Sequence, residues 1–357
     1  MEIRIEKTAK PKHIPTTEEL GSIKFGTVFS DHMLLITFSE GKGWHDARIV
    51  PYGPISLDPA ACCLHYGQLI FEGMKAYKAK DGRIVMFRPE KNIARMNQSC
   101  DRMCIAQINE LETLEAVAEL VRIDSAWVPN VPGTALYVRP FIYADEPFLG
   151  VRASNSFTFA TILSPVGPYF KGGLTPTRIY VEDNYVRAVR GGTGAAKCAG
   201  NYAASLKAQQ EVAAAGYAQV LYLDGAERKY IEELGGMNVF FVIDGEVVTP
   251  ELNGSILAGI TRQSIIEVVR DWGMQARERA ITIQELADAH KAGRVTEAFS
   301  AGTAAVISPI GELKWRNNVM IFNDNKIGET TQRIYDEITG IQTGAVPNKF
   351  GWLYKVS

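Results

Sequence analysis

The chain has 357 residues, of which 46% are hydrophobic, and its 38 Lys and Arg nearly balance its 40 Asp and Glu. This composition is typical of a folded protein of about two domains, and it argues against disorder and, without a basic stripe, against nucleic-acid binding. No apolar run approaches the ~20 residues that span a bilayer, and the mixed charges of the first ten residues do not resemble a signal peptide. We therefore expect a cytoplasmic protein. The five cysteines form no C-x-x-C pair, so we expect neither a disulfide framework nor a metal site.

The first half of the chain carries alternating strand and helix signals. A Lys-Asp-Gly turn at 80–82 separates two short apolar runs and predicts a hairpin. Pro89 suits the first turn of a helix, and Asn109 with Glu112 three residues later is typical of a helix N-terminus. The predicted elements are strands at 25–38, 75–79 and 83–87, helices from 89 and from 109, and strands at 135–143 and 157–163.

A stretch rich in proline and glycine at 164–177 predicts a break between two domains. We expect a smaller N-terminal α+β domain at 1–170, a linker at 171–180 and a larger C-terminal domain at 181–357 that carries Lys197. The elements predicted after the break are a helix at 202–215, strands at 219–223, 239–243 and 246–249, helices at 261–270 and 282–293, strands at 295–299 and 304–307, and a helix at 330–339. This order predicts an α+β fold with mixed and antiparallel sheets rather than a doubly wound parallel sheet.

Three stretches of small residues could bind an anion. The first, R-A-V-R-G-G-T-G-A-A-K-C-A-G-N-Y at 187–202, includes Lys197, an amine that becomes a nucleophile when it is desolvated. The second, G-I-T-R-Q-S at 259–264, could present a helix N-terminus capped by Thr261, and the third, S-A-G-T-A-A at 300–305, is a tight turn. For each stretch alone, an ordinary turn, cap or surface lysine is the better interpretation. The residue types lead no further than a phosphate-bearing ligand, with or without a Schiff base.

The order and wording of these segments resemble the branched-chain amino-acid aminotransferases, which are fold-type IV, D-amino-acid aminotransferase-like enzymes that depend on pyridoxal 5′-phosphate. The resemblance covers nearly the whole chain. The matching segments are L-H-Y-G-Q-L-I-F-E-G-M-K-A-Y from Leu64, L-Y-V-R-P from Leu136, S-P-V-G-P-Y-F from Ser164, G-G-T-G-A-A-K-C-A-G-N-Y from Gly191, E-L-G-G-M-N from Glu233, G-I-T-R from Gly259 and S-A-G-T-A from Ser300. The resemblance implies a two-domain transaminase that moves the amino group of leucine, isoleucine or valine to 2-oxoglutarate.

The resemblance implies roles at the cofactor for eight residues. Lys197 matches the catalytic lysine that forms the Schiff base and carries the proton between substrate and cofactor. Glu233 matches the acid that pairs with the pyridine nitrogen, and Tyr202 matches the residue that hydrogen-bonds the 3′-oxygen. The other residues expected at the phosphate or elsewhere on the cofactor are Arg95, Arg187, Ile260, Thr261 and Thr303.

The resemblance also implies an aromatic substrate pocket, formed by Phe25, Tyr66, Tyr137, Arg139, Tyr169 and Ala304. Tyr66 matches a residue that reaches in from the other subunit of a homodimer. Arg139 shares a strand face with Tyr137 and matches the residue that holds the side-chain carboxylate of glutamate. Ala304 lies in the turn that receives the α-carboxylate. The expected partners are amino acids and 2-oxo acids, with no nucleic acid and no membrane.

Two alternatives stay open. A D-amino-acid aminotransferase or an aminodeoxychorismate lyase shares the fold and the lysine, although not the combined L-H-Y and L-Y-V-R-P segments. A non-enzymatic protein that binds a phosphate ligand could use the same glycine-rich loops. A visible absorbance band from a bound cofactor would separate the enzymes from the binding protein.

Overall fold

The structure, a computed structural model, describes residues 1–168 and 173–357. Contacts between Cα atoms divide the chain into two units. The first unit comprises Met1–Lys171, Ala196–Ala199 and Gly340–Ser357, and the second comprises Gly172–Ala195 and Gly200–Thr339. The α-helices of the described residues are α1 (Thr17–Leu20), α2 (Cys62–Tyr66), α3 (Pro89–Arg102), α4 (Glu110–Ile123), α5 (Ala199–Ala214), α6 (Ile260–Asp271), α7 (Ile283–Lys291) and α8 (Glu329–Gln342).

The strands of the first unit form one mainly antiparallel sheet. They are β1 (Arg4–Ile5), β2 (His32–Ser39), β3 (Gly43–Pro51), β4 (Leu69–Phe71), β5 (Met74–Lys78), β6 (Ile84–Phe87), β7 (Ala135–Ala144), β8 (Ser156–Val166) and β18 (Leu353–Lys355). Their order is β1-β3-β2-β8-β7-β5-β6-β18, with β4 also paired to β7. Apolar side chains of α3 and α4 share one buried core with this sheet, among them Ile93, Met96, Val117, Leu34 and Val138.

The strands of the second unit form a mixed sheet. They are β9 (Thr177–Glu182), β10 (Gln219–Leu223), β11 (Ile231–Leu234), β12 (Asn238–Ile243), β13 (Glu246–Thr249), β14 (Ala276–Glu278), β15 (Val295–Gly302), β16 (Val306–Trp315) and β17 (Asn318–Ile321). The order is β11-β10-β9-β16-β15-β12-β13-β14, with β17 also paired to β16. A further pairing of β11 with β12, between Glu233 and Asn238, closes six of these strands into a ring.

The helix termini confirm several of the local sequence signals. Pro89 occupies the first turn of α3. The side chains of Asn109 and Thr282 cap α4 and α7 by accepting hydrogen bonds from the N–H groups of Glu112 and Glu285. Each of these signals uses only groups within one turn of the chain, so sequence is enough to find them.

The structure differs from the sequence predictions in three places. Residues 25–31 form a turn followed by irregular backbone, so the strand expected at 25–38 begins only at His32. The strand β9 occupies part of the expected linker at 171–180, because it pairs with both β10 and β16. The C-terminal segment belongs to the first unit, which is therefore the larger of the two, because β18 pairs with β6.

Within the described residues, none of the helices is long and apolar enough to cross a membrane. The same residues contain no group of three or more His, Cys, Asp or Glu side chains that could hold a metal ion.

Candidate active site

Lys197 lies in the segment Ala196–Ala199, which belongs to the first unit. The sequence had predicted that Lys197 belongs to the C-terminal domain. The N–H of Lys197 donates to Ser99 Oγ at 2.9 Å, and the N–H of Phe71 donates to the Lys197 carbonyl oxygen at 3.0 Å. The next residue, Cys198, is 2% exposed and packs in the core of this unit. These contacts fix the backbone of Lys197 against β4 and α3, while its side chain is only partly buried.

The ring of Phe71 contacts two cations. Lys197 Nζ lies 4.9 Å and Arg139 Cζ lies 4.7 Å from the ring centroid. Arg139 also donates to Tyr137 Oη at 3.0 Å, and the Tyr137 ring meets the Phe25 ring edge-on at 4.9 Å between centroids. One aromatic chain therefore joins Lys197 to three of the predicted substrate residues.

Arg95 is held by a buried carboxylate next to Phe71. Arg95 Nε and Nη2 donate to the two oxygens of Glu72 at 2.7 and 2.8 Å, and Asn92 Nδ2 donates to Glu72 Oε2 at 2.8 Å. Glu72 is fully buried and Arg95 nearly so. Burial raises the pKa of the Glu72 carboxyl, but the charges of Arg95 and Lys197 and the hydrogen bonds from Arg95 and Asn92 outweigh this effect and hold the pKa below its usual value.

In the second unit, Glu233 on β11 is buried and surrounded by donors. Arg187 Nη2 lies 2.8 Å from Glu233 Oε1, which also accepts from the N–H of Leu257 at 2.9 Å. Asn238 Nδ2 donates to Glu233 Oε2 at 3.1 Å. Arg187 further donates to the carbonyl oxygens of Gly194 and Ser255. The structure thus brings the predicted residues Glu233 and Arg187 into direct contact.

Asn238 connects Glu233 to the start of α6. Its Nδ2 also donates to the carbonyl oxygen of Leu257 at 3.0 Å, and its Oδ1 lies where a Cβ on Gly259 would be. The structure corrects the cap predicted at Thr261, because Gly259 is the N-cap and Thr261 lies inside the helix. No side chain caps the helix at Gly259, so the first N–H groups of α6, including those of Ile260 and Thr261, lie at a helix start of the kind that can bind an anion.

The remaining predicted residues of the second unit are partly buried. Ala301 pairs with Asn238 across β12 and β15, so the turn that carries Thr303 and Ala304 follows directly from this pairing. Tyr202 lies in the first turn of α5. The residues on either side of the Lys197 segment are joined to each other, because Thr193 Oγ1 donates to Asn201 Oδ1 at 2.7 Å.

Two predicted substrate residues stand apart from these groups. Tyr66 on α2 is 41% exposed, and its hydroxyl donates to the carbonyl oxygen of Leu149. Tyr169 lies outside the described residues. Within the chain, the structure therefore does not place Tyr66 beside Lys197.

A cavity of about 410 Å³ opens elsewhere on the first unit and contains none of the predicted residues. Among its lining residues, Arg48 donates to Asp46 Oδ2 at 2.6 Å, and Asp145 accepts from the hydroxyls of Ser156 and Thr158. We do not assign the chemistry to this cavity, because none of the predicted site residues lines it.

Comparison with known proteins identifies the family. The model of the class IV amino-transferases matches residues 69–313. The sequence is 55% identical to branched-chain-amino-acid aminotransferase 2 of Bacillus subtilis over 99% of this chain and 97% of that protein. The chain belongs to the class IV aminotransferase family.

Two solved structures show the same fold as this aminotransferase. The branched-chain aminotransferase of the archaeon Thermoproteus uzoniensis with norvaline is 27% identical, with a TM-score of 0.76 over 91% of this chain and 100% of that chain. The branched-chain amino acid aminotransferase of Escherichia coli is 26% identical, with a TM-score of 0.74 over 92% and 99% of the two chains. The predicted family and the predicted two-domain fold-type IV architecture are confirmed.

The sequence reasoning missed four residues that organise this aminotransferase: Phe71, Glu72, Ser99 and Asn238. The first two lie in the segment L-I-F-E-G-M, where a single acid interrupts an apolar run. A buried charge in such a run is a usable signal, because it needs a partner. Lys75 is a further buried cation, and it lies opposite Tyr137 across β5 and β7. Burial lowers the pKa of the Lys75 amine to about 8.

Proposed function

We propose that this aminotransferase is a pyridoxal 5′-phosphate-dependent branched-chain-amino-acid transaminase. It moves the amino group of L-leucine, L-isoleucine or L-valine to 2-oxoglutarate by a ping-pong cycle through pyridoxamine phosphate. The observation that carries the proposal is the Phe71 ring in contact with Lys197 and Arg139. This arrangement offers a base, an apolar wall and a cation, and the two substrates of such a transaminase need all three.

The donor set fits the cofactor. A phosphorylated pyridine aldehyde needs an amine for its carbonyl carbon, an acid for its ring nitrogen and N–H donors for its phosphate. Lys197 supplies the amine and Glu233, buried among three donors, supplies the acid. Arg95, Thr303 and the N–H groups of Ile260 and Thr261 would bind the phosphate, and the Tyr202 hydroxyl would bind the 3′-oxygen.

The chemistry follows from what these side chains do. When bound, the cofactor supplies an aldehyde that captures the substrate amine and a ring that withdraws electrons from the substrate Cα. Lys197 Nζ would take the proton from the substrate Cα and deliver it to the cofactor carbon two bonds away, a 1,3-shift by one base. Glu233 would hold a proton on the ring nitrogen, and Arg187, 2.8 Å from Glu233 Oε1, compensates the negative charge of that acid.

Substrate selection is assigned to the aromatic chain around Phe71. Phe25 and Tyr137 form an apolar wall for a branched side chain. We assign Tyr169, which lies outside the described residues, to the same pocket from the family resemblance alone. Arg139 binds the side-chain carboxylate of glutamate and 2-oxoglutarate. The N–H groups of the turn at Ala304 bind the α-carboxylate that both substrates share.

We assign the enzyme to the cytoplasm as a homodimer in which Tyr66 enters the partner's pocket. All five cysteines are free, which is typical of a reducing compartment. Tyr66 and its neighbours Leu64, Leu149 and Val151 are exposed apolar side chains on one patch of the first unit, and such patches mark interfaces.

The test is Lys197→Ala, with Lys207→Ala as the matched control. Lys207 lies exposed on α5 and pairs with Glu211. We expect Lys197→Ala to lose the visible absorbance of the bound cofactor and to lower turnover of leucine with 2-oxoglutarate about a thousandfold or more, because general base catalysis is removed. The control should keep both. Wild-type protein that used D-alanine but not L-leucine, or that bound no cofactor, would reject the proposal.

A further inference from the structure

The loop after β4 places one carboxylate between two groups that the proposed function assigns to the same cofactor. Glu72 is fully buried, and both of its oxygens are occupied by the Arg95 guanidinium. Phe71, the residue before it, donates its N–H to the Lys197 carbonyl oxygen, and its ring makes a cation–π contact with the Lys197 amine. A fixed negative charge therefore stands next to both a phosphate-binding arginine and the Schiff-base lysine.

From this geometry we infer that Glu72 is a positioning residue with two effects. It orients Arg95 toward the cofactor phosphate, and it places a fixed negative charge near the Lys197 nitrogen. The inference rests on the proposed function, because it needs a cofactor bound at Lys197.

The first effect follows from the shape of the guanidinium. Two of its nitrogens, Nε and Nη2, are bound edge-on by the carboxylate, and this bidentate contact fixes the plane of the group. Asn92, one turn earlier on α3, donates to Glu72 Oε2 at 2.8 Å and to the Gly73 carbonyl oxygen at 3.2 Å, so the acid itself cannot rotate. The orientation of the guanidinium edge that faces away from Glu72 is therefore fixed.

The second effect follows from charge. The charged groups that interact with Glu72 are Arg95 of α3 and Lys197. Arg139 of β7 contacts the ring of the neighbouring residue Phe71. Arg95 is paired with the carboxylate, and the Lys197 amine also interacts with it electrostatically. A negative charge in a buried site favours the protonated form of a nearby nitrogen. Removal of the Glu72 charge would leave the positive charge of Arg95 in place, and that charge disfavours the protonated form.

Ser99 adds a third link between the same parts. It lies one turn after Arg95 on α3 and accepts the hydrogen bond from the N–H of Lys197. One face of α3 therefore carries Asn92, Arg95 and Ser99. Asn92 holds Glu72, Arg95 is the residue assigned to the phosphate, and Ser99 holds the backbone of Lys197. Glu72 is the acid that Asn92 and Arg95 of α3 bind, and it interacts with both Arg95 and Lys197.

The experiment compares wild-type holoenzyme with Glu72→Gln, which keeps the shape and removes the charge. The dissociation constant of pyridoxal 5′-phosphate should rise about tenfold to a hundredfold, since a charge-assisted contact that orients Arg95 is lost. The midpoint of the pH titration of the visible cofactor band should fall by about one pH unit, because the protonated nitrogen loses its anion. A purely structural role would change the melting temperature without moving this midpoint.

Two further variants separate the effects. Asn92→Ala leaves both charges and loosens the carboxylate, so we expect weaker cofactor binding with an unchanged midpoint; it also serves if Glu72→Gln does not fold. Glu297→Gln is the matched control, because Glu297 is a buried acid that accepts hydrogen bonds from Thr330 and Thr331 in the second unit. It should move neither quantity.

The outcomes are distinct. Wild-type protein that binds cofactor, with Glu72→Gln unchanged in affinity and midpoint, would overturn the role of Glu72 and leave the proposed function standing. If Glu72→Gln does not fold, Asn92→Ala decides. A shift of its titration midpoint by about one pH unit, together with weaker cofactor binding, would overturn the separation of the two effects. Wild-type protein with no bound cofactor would overturn both the proposed function and this inference.

Discussion

Arg139 is a cation held by aromatic rings instead of by an acid. Its Cζ lies 4.7 Å from the Phe71 centroid and 5.2 Å from that of Tyr137, and its Nε is buried without a hydrogen-bond partner. Over residues 1–168 and 173–357, no acidic side chain forms an ion pair with it. A guanidinium in this state is stabilised when a ligand brings a carboxylate, which agrees with its assignment to glutamate.

We expect Arg139→Met to weaken the glutamate half-reaction about tenfold to a hundredfold in catalytic efficiency and to leave the leucine half-reaction nearly unchanged. A lost charge-assisted contact is worth about 1.5 to 3 kcal/mol, whereas methionine keeps the apolar wall. Stopped-flow absorbance of the cofactor measures the two half-reactions separately. Lys75→Met is the matched comparison, because Lys75 is a buried cation directly opposite Tyr137 across β5 and β7. Equal losses with leucine and glutamate in Arg139→Met would make Arg139 structural.

At the scale of elements, the N-terminus of α6 depends on the absence of a side chain. The backbone of Gly259 has φ −65° and ψ 133°, which any residue can adopt, so backbone strain is not the reason for glycine here. A Cβ would instead overlap Asn238 Oδ1, and Asn238 is held by its bonds to Glu233 and Leu257. Because Gly259 has no Cβ, Asn238 of β12 can contact both Glu233 and the residues at the start of α6.

Gly259→Ala should therefore act on Glu233 through Asn238. We expect an overpacking cost of about 1 to 3 kcal/mol in the free energy of unfolding, together with weaker cofactor binding. Gly200→Ala is the control, because this glycine in the first turn of α5 has open space around it. Chemical denaturation and cofactor titration measure the two quantities. If Gly259→Ala binds the cofactor as tightly as Gly200→Ala, the bracing role of Asn238 is wrong.

The elements that sequence predicted are those whose signals are local. Pro89, the cap at Asn109 and the Lys-Asp-Gly turn at 80–82 act within a few residues, and the structure has a helix start or a hairpin at each. The strand β9 was missed because its apolar residues follow a proline-rich stretch, and only its pairing with two distant strands makes it a strand.

The candidate site shows the same limit. The resemblance pointed to Lys197 and Glu233, but it gave neither the unit that fixes Lys197 nor the acid that holds Arg95. These depend on contacts across long sequence separations, such as that between Phe71 and Lys197. A pattern of residue types carries no information on which buried acid meets which buried base.

At the scale of the whole molecule, the exposed apolar side chains around Tyr66 support the proposed homodimer. Two hydrogen bonds join the loop after β7 to α2 and the residues before it. The N–H of Phe148 donates to the carbonyl oxygen of Ala60, and the Tyr66 hydroxyl donates to the carbonyl oxygen of Leu149. Leu149 is 62% and Val151 is 88% exposed. Water contact over so much apolar surface is unfavourable, so burial against a second copy would stabilise the assembly.

A complementation experiment decides whether Tyr66 works in its own subunit or in the partner. Tyr66→Ala and Lys197→Ala should each be nearly inactive as homodimers. In a heterodimer, the Lys197→Ala chain can lend its intact Tyr66 to the site that keeps Lys197, so a co-expressed mixture should regain about a quarter of wild-type activity. Light scattering should give a mass of about twice 39.3 kDa for wild type, and Val151→Glu should lower it. Leu111→Glu, which changes an exposed leucine on α4, should leave it unchanged. A mixture as inactive as its parents would place Tyr66 in its own subunit, because neither chain then carries both residues of one site.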